Sequence, residues 1–252
     1  MDDAIRSKDQ VYAEPREHVS RFAFDQAVVD VFPDMIKRSV PGYLTVLAMT
    51  AMFAAKYAQN GSNCYDLGCS LGAATLAMGR AIEQKGCTVI AVDNAPAMIS
   101  ECQLRVDDAK LATPIVLQCE DISKIRIEKA SVVVLNYTLQ FIEPEAREAL
   151  LATIYGGLLP GGILILSEKI AFSSKEKQDL MTALHLDFKR ANGYSNLEIS
   201  QKRTALENVL IPDTEEVHLT RLKNVGFPSP ALWFQSLNFV SMLAIKPTAN
   251  AA

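Results

Sequence analysis

Apolar positions change their period several times along this chain. Short runs rich in β-branched and aliphatic residues, at 63–67, 88–92, 114–118, 130–136 and 162–167, alternate with stretches whose apolar residues recur every three or four positions, at 72–84, 96–109 and 143–157. The short runs predict strands and the longer stretches predict helices. Strands that alternate with helices imply a parallel sheet joined by right-handed crossovers. The apolar run in Ser131-Val-Val-Val-Leu135 suits a strand covered on both faces. Leu158-Leu-Pro-Gly-Gly162 predicts a helix end ahead of a strand at Ile163–Leu166.

The flanks follow another pattern. Residues 1–20 are polar and mixed in charge, and predict a loose or helical lead-in. Residues 21–58 have helical spacing, broken once at Pro41-Gly42. From 174 to 210 the chain is helical and rich in charge, with a break at Asn192-Gly193. A helix near 214–224 and strands near 230–235 and 238–245 close the chain. With no repeat, linker or low-complexity tract, 1–252 is expected to form one domain, in which 1–58 is a helical lead-in and 174–210 a helical insertion. A chain this long buries roughly 70–75% of the surface its unfolded form exposes, so it needs no disulfide or metal staple.

Composition narrows the class. Apolar residues make up 49% of the chain and charged residues 21%, which excludes disorder and coiled coil. Lys+Arg at 25 against Asp+Glu at 29 gives a net charge of −4, so no polybasic field invites nucleic acid or an anionic membrane. Cysteines 64, 69, 87, 102 and 119 form no C-x-x-C pair, and reduced thiols suit the cytoplasm. The opening MDDAIRSKDQ has no apolar core and is not expected to be a signal peptide. The stretch Leu44 to Ala58, interrupted by Thr45, Thr50 and Lys56, is too short and too polar to span a bilayer. A soluble cytoplasmic protein is expected.

The chemistry lies at the strand ends, where open parallel sheets bind their ligands. The first strand runs into Tyr65-Asp66-Leu67-Gly68-Cys69-Ser70-Leu71-Gly72, the second ends in Val92-Asp93-Asn94, the third leads to Glu120-Asp121-Ile122 and the fourth ends at Asn136. Gly68 permits close backbone approach by a ligand. Asp93 lies at the spacing from Gly68 at which an acid meets a ribose diol. Asp121 can accept from an exocyclic amine while the Ile122 N–H donates to a ring nitrogen. A single strand-end acid is more often solvated or a helix cap, but the set together points to a nucleoside site.

Ser70 occupies the place of the second glycine of a dinucleotide fingerprint, and there is no G-K-[ST] for a triphosphate. Asp66 would repel a pyrophosphate and attract a cation. S-adenosylmethionine, a nucleoside with an ammonium and a sulfonium but no phosphate, suits such a pocket better than NAD. Gly68-Cys-Ser-Leu-Gly72 also spells a hydrolase elbow. That enzyme needs a histidine after its acid, and only His185 and His218 follow, in charge-rich helical segments where surface positions are expected. Cys69 has no flanking base to lower its pKa and suits a small loop side chain better than a nucleophile.

The glycine loop, Val92-Asp93-Asn94-Ala95-Pro96-Ala97-Met98 and Leu158-Leu-Pro-Gly-Gly162 together resemble class I S-adenosylmethionine-dependent methyltransferases. That resemblance implies a Rossmann-like α/β fold with a seven-stranded, mostly parallel sheet and an antiparallel last strand. Three further segments, Val31–Tyr43, Tyr65–Thr75 and Asp187–Arg203, resemble the carboxy-S-adenosyl-L-methionine synthases of bacterial tRNA wobble-uridine modification, and the likeness covers about residues 18–246. It implies an enzyme that takes S-adenosylmethionine and prephenate and yields carboxy-S-adenosyl-L-methionine, retained as bound product, and phenylpyruvate. It also implies a homodimer, and a separate tRNA carboxymethyltransferase that uses the product.

By the same resemblance, Gly68, Cys69 and Ser70 line the methionine end of the substrate. Asp93 and Asn94 meet the ribose, Asp121 and Ile122 the adenine, and Asn136 forms the floor near the sulfonium. Tyr43 closes the pocket. Arg203, the catalytic candidate, holds the new carboxylate, since arginine binds one bidentately. No metal and no protein general base are implied, because the leaving hydroxide of prephenate removes the methyl proton. Arg203 and Arg190 are candidates for the carboxylates of prephenate. The alternative is an ordinary S-adenosylmethionine-dependent small-molecule methyltransferase. The dipeptides Lys189-Arg190 and Lys202-Arg203 give RNA binding its only support, and at net −4 no direct nucleic-acid contact is expected.

Overall fold

The computed structural model describes residues 8–248; the part of the predicted lead-in at 1–7 and the last four residues lie outside the described residues. Seven strands, β1 (Asn63–Leu67), β2 (Thr88–Asp93), β3 (Ile115–Cys119), β4 (Ala130–Asn136), β5 (Leu158–Lys169), β6 (Ala231–Ser236) and β7 (Phe239–Ile245), form one sheet in the order β3-β2-β1-β4-β5-β7-β6. The pairings among β1 to β5 are parallel, and β7 runs antiparallel to both its neighbours. This is the expected class I methyltransferase architecture. Strand order reverses between β1 and β4, which opens a crevice at their carboxyl ends.

Helices α1 (Gln26–Ser39), α2 (Tyr43–Tyr57), α3 (Ala73–Ala81), α4 (Pro96–Ala109), α5 (Pro144–Gly157), α6 (Lys175–Ala191), α7 (Asn196–Leu206) and α8 (Glu215–Asn224) cover the sheet. Period-two alternation divides the core. Val133 and Leu135 of β4 pack with Leu151, Ile154, Leu222 and Phe227 on one face, while Val132 and Val134 pack with Phe53, Ala54 and Met78 on the other. Several helices start where the sequence supplies a cap. Asp25 accepts from the Val28 N–H, Ser174 from Lys177, Thr214 from Val217, and Ser195 with Glu198 forms a capping box.

Two expectations are corrected. The segment 158–162 is already strand: β5 pairs from Leu158, opposite Ala130, and a register shift between Ala130 and Val132 absorbs the Pro160-Gly161 kink. Residues 8–20 are neither helical nor loose. Gln201 of α7 donates to the carbonyls of Tyr12 (2.9 Å) and Glu14 (2.8 Å) and accepts the Arg16 N–H (2.9 Å), and the Phe22 N–H bonds Ala205 (2.9 Å). Satisfied backbone groups fasten the lead-in without secondary structure of its own.

The predicted insertion forms α6 and α7, held over the carboxyl ends of the strands by Arg38 of α1. Its guanidinium donates to Asn192 C=O (2.6 Å) and Asp34 (3.0 Å) and stacks 3.8 Å from the Tyr194 ring. Glu168, buried in β5, accepts the Leu139 and Gln140 N–H groups at 2.9 Å each, which fixes the turn after β4.

Candidate active site

At the carboxyl edge of the sheet, between the crevice and the α6–α7 cap, lies a cavity of about 340 Å³. Seven of the expected residues line it: Gly68, Ser70, Asp93, Asn94, Asp121, Ile122 and Asn136. They come from β1, β2, β3 and β4 in turn, so sheet topology alone gathers them.

Asp93 organises the first turn. Its Oδ2 accepts the Ser70 N–H (2.9 Å) and its Oδ1 the Ala95 N–H (2.9 Å), tying the glycine loop to the start of α4. Burial holds its pKa above the usual carboxylate value, and these N–H donors act in the opposite sense. Ser70 needs the tie, because its φ of 48° is left-handed for a residue with a side chain. Asp121 is held below the usual value by the Ser123 N–H (2.9 Å) and hydroxyl (2.8 Å), both on Oδ1. Asn136 Oδ1 is buried and has no hydrogen-bond partner among the described residues.

Gly68 is required for a reason the sequence did not suggest. At φ +79°, a Cβ placed on it would lie 2.4 Å from the Thr138 side chain, so the glycine admits the β4 turn as much as any ligand. Asp66 does not line the main cavity. It is buried, accepts from Thr75 Oγ1 (2.6 Å) and is pushed up to about 6 by burial.

Tyr43 and Cys69 line a smaller adjoining cavity of about 70 Å³, together with Asp66 and Asn136. Tyr43 packs against Tyr137, ring centroids 6.4 Å apart, and Tyr137 in turn lines the main cavity. Cys69 packs with Cys102 and Ala91, and the Cys102 contact and burial both raise its pKa, which disfavours the thiolate a nucleophile needs. Arg203 is exposed on α7 and lines neither cavity, although its charge is felt by Lys169. Arg190, the other candidate for a carboxylate ligand, is also exposed and pairs with Asp187 at 2.6 Å.

Sequence reasoning missed the opposite wall. Lys169 at the end of β5, Lys189 of α6, and Lys202 of α7 line the cavity with His185. In both basic dipeptides the lysine faces the cavity and the arginine lies outside. Burial, and then the Arg203 charge, lowers the pKa of Lys169. Burial, then Lys202 and Lys169, pushes Lys189 down to about 7. Burial pushes Lys202 down to about 8, with Asp9 acting the other way. His185 and His218, expected at the surface, are both buried. His185 Nε2 donates to Ser39 C=O (2.8 Å), and burial pushes its pKa down to about 3, leaving the ring neutral.

Aromatic rings line the same cavity. Phe22 and Phe24 of the lead-in, Phe32 of α1, and Phe141 line the cavity, with Phe24 edge-on to Phe141 at 5.5 Å. The result is a largely apolar chamber with carboxylates at one end and ammonium groups at the other.

A methyltransferase-domain family matches residues 65–162. The carboxy-S-adenosyl-L-methionine synthase of Trichlorobacter lovleyi is 59% identical over 242 residues, covering 96% of this chain and 99% of that protein. The synthase of the same name from Photobacterium profundum is 55% identical over 242 residues, again 96% and 99%. Among solved structures, an O-methyltransferase family protein from Burkholderia thailandensis superposes with a TM-score of 0.64 at 16% identity, over 90% of this chain and 61% of that one. Human N-acetylserotonin methyltransferase in complex with SAM gives 0.61 at 17%, over 88% and 56%. At such identity the structural likeness is one of fold.

Proposed function

The chain belongs to the carboxy-S-adenosyl-L-methionine synthase family, and on that premise we propose that it converts S-adenosyl-L-methionine and prephenate to carboxy-S-adenosyl-L-methionine and phenylpyruvate. The observation that carries this reading is the two-ended cavity. A cationic nucleoside suits its carboxylate end, an anionic acid suits its lysine end, and the aromatic rings that line the same cavity limit the water it holds.

The residues present fit the nucleoside substrate. We assign Asp93 and Asn94 to the ribose, Asp121 and Ile122 to the adenine, and Gly68, Cys69 and Ser70 to the methionine end. Asn136 supplies an unpartnered buried oxygen to the region of the sulfonium. Tyr43, beside Tyr137, closes this end. Prephenate loses its ring carboxylate as carbon dioxide and its ring hydroxyl as hydroxide, and becomes aromatic phenylpyruvate. The hydroxide takes a proton from the sulfonium methyl to give water, and the carbanion so formed adds to the carbon dioxide, giving a carboxymethyl sulfonium. No side chain need act as base. The protein's task is to hold the reactants together and dry, which is where most of the acceleration of such a step arises. We assign the new carboxylate to Arg203 on the family resemblance; its charge reaches Lys169, while its side chain lies outside both cavities.

The product would serve a separate tRNA carboxymethyltransferase acting on the wobble uridine, so this protein need not touch nucleic acid. No helix among the described residues is long and apolar enough to cross a membrane, which is consistent with the cytoplasmic site of action we infer. A homodimer contact through α6 and α7 is supported by exposed Leu180, Leu184 and Leu197.

Mass spectrometry of the nucleoside released by heat from the purified protein tests the reading. A species one carbon dioxide heavier than S-adenosylmethionine supports it. S-adenosylhomocysteine alone, with transfer of a plain methyl group when acceptors are supplied, would favour the ordinary methyltransferase.

A further inference from the structure

The lysine end of the cavity carries more positive charge than its surroundings balance. Lys202 donates to Ser39 Oγ (3.1 Å) and lies 3.7 Å from Asp9. Asp9 is itself engaged by Tyr194 Oη. The ammonium groups of Lys169 and Lys189 have neither hydrogen-bond nor carboxylate partner among the described residues. The charges that act on Lys169 and Lys189 are Arg203, the neighbouring lysines and, for Lys189 alone, Asp9. Burying ammonium groups side by side is costly unless an anion joins them. The cavity they line is the one holding the nucleoside residues, and neutral His185 sits among them.

Prephenate offers two carboxylates, and chemistry distinguishes them. The ring carboxylate must leave as neutral carbon dioxide, so an ion pair to it would stabilise the ground state and oppose the reaction. The carboxylate of the 2-oxo-acid side chain keeps its charge throughout and passes into phenylpyruvate. We propose that Lys169 and Lys189, backed by Lys202, form the subsite for this retained 2-oxo-acid carboxylate, leaving the ring carboxylate without a cationic partner in the aromatic part of the cavity. This assignment rests on prephenate being the carbon-dioxide donor.

Phenylpyruvate is the probe, because it carries the retained carboxylate and needs no turnover to bind. Its affinity should fall by about tenfold or more in Lys189→Met and in Lys169→Met, as loss of a charge-assisted hydrogen bond from a desolvated site requires. S-adenosylmethionine affinity should stay within about twofold, because its contacts lie at the other end of the cavity. Lys189→Arg should recover part of the loss. Unchanged phenylpyruvate affinity in both methionine variants overturns the proposal, as does an equal loss of S-adenosylmethionine affinity. If those variants fail to fold, the wild-type protein decides: the methyl ester of phenylpyruvate should bind at least about tenfold more weakly than the acid, and equal binding overturns the subsite. Should wild type bind phenylpyruvate in this way yet form no carboxylated nucleoside from prephenate, the donor assignment fails while the 2-oxo-acid site remains measured.

Discussion

Asp93 Oδ2 lies 2.9 Å from the Ser70 nitrogen and accepts its N–H, so a strand-end acid holds in place the one left-handed, non-glycine residue of the nucleotide loop. The carboxylate has two duties, bracing Ser70 and Ala95 while facing the cavity. Asp93→Asn should fare little better than Asp93→Ala, because the amide nitrogen would be turned toward one of two N–H donors. Both should weaken S-adenosylmethionine binding by about 2 kcal/mol or more, roughly thirtyfold. Calorimetric titration with S-adenosylmethionine checks this, and affinity retained by the asparagine variant would speak against it.

Gly68→Ala should destabilise the fold by about 1–3 kcal/mol, since it forces an alanine into a left-handed conformation and against Thr138. Adding Thr138→Ala relieves the clash but not the backbone strain, so the double variant should recover only part. Urea unfolding of Gly68→Ala, Thr138→Ala and the double variant measures both components.

Arg147 is fully buried, pairs with Asp213 at 2.6 Å and donates to the carbonyls of Ile142 and Ile211, joining α5 to the chain ahead of α8. Arg147→Met leaves Asp213 with Arg221 alone (2.9 Å) and leaves the half-buried carbonyls of Ile142 and Ile211 without this donor. A loss of about 3–5 kcal/mol in urea unfolding is expected. A loss under 1 kcal/mol would show that the network adds little.

Burial pushes His185 down to about 3 and His218 down to about 4, against 6.5 for each in the unfolded chain. The unfolded chain therefore binds protons first as pH falls. Their contribution to stability is complete above pH 6.5 and is lost on going from there toward pH 4, at up to about 1.4 kcal/mol per pH unit for each histidine. His218→Phe should flatten the slope of unfolding free energy against pH between 6.5 and 4. An unchanged slope would contradict the buried, neutral assignment.

Much of this architecture is legible without coordinates, for a local reason. β1 and β4 are short apolar runs bounded by turn residues, and the break at Asn192-Gly193 separates α6 from α7, so neighbouring residues alone mark them. The acids at 93 and 121 were legible because they follow strands whose order the fold dictates. What escaped depends on packing between distant segments. Nothing local tells Lys202, buried and bonded to Ser39, from Arg203, exposed one position on. His185 reads as a surface residue until α6 is laid against Ser39. Gly68 reads only as a ligand contact until Thr138 packs against it from the turn after β4, and residues 8–20 look loose until α7 offers Gln201.

The central claim is that one carbon moves from prephenate to the sulfonium methyl within this cavity. Prephenate labelled with carbon-13 at its ring carboxylate, incubated with S-adenosylmethionine and the purified protein, tests it most directly. The label should appear in the carboxymethyl group of the released nucleoside, with unlabelled phenylpyruvate formed in equal amount. Label that escapes wholly as free carbon dioxide, or a nucleoside that gains no mass, would contradict the account.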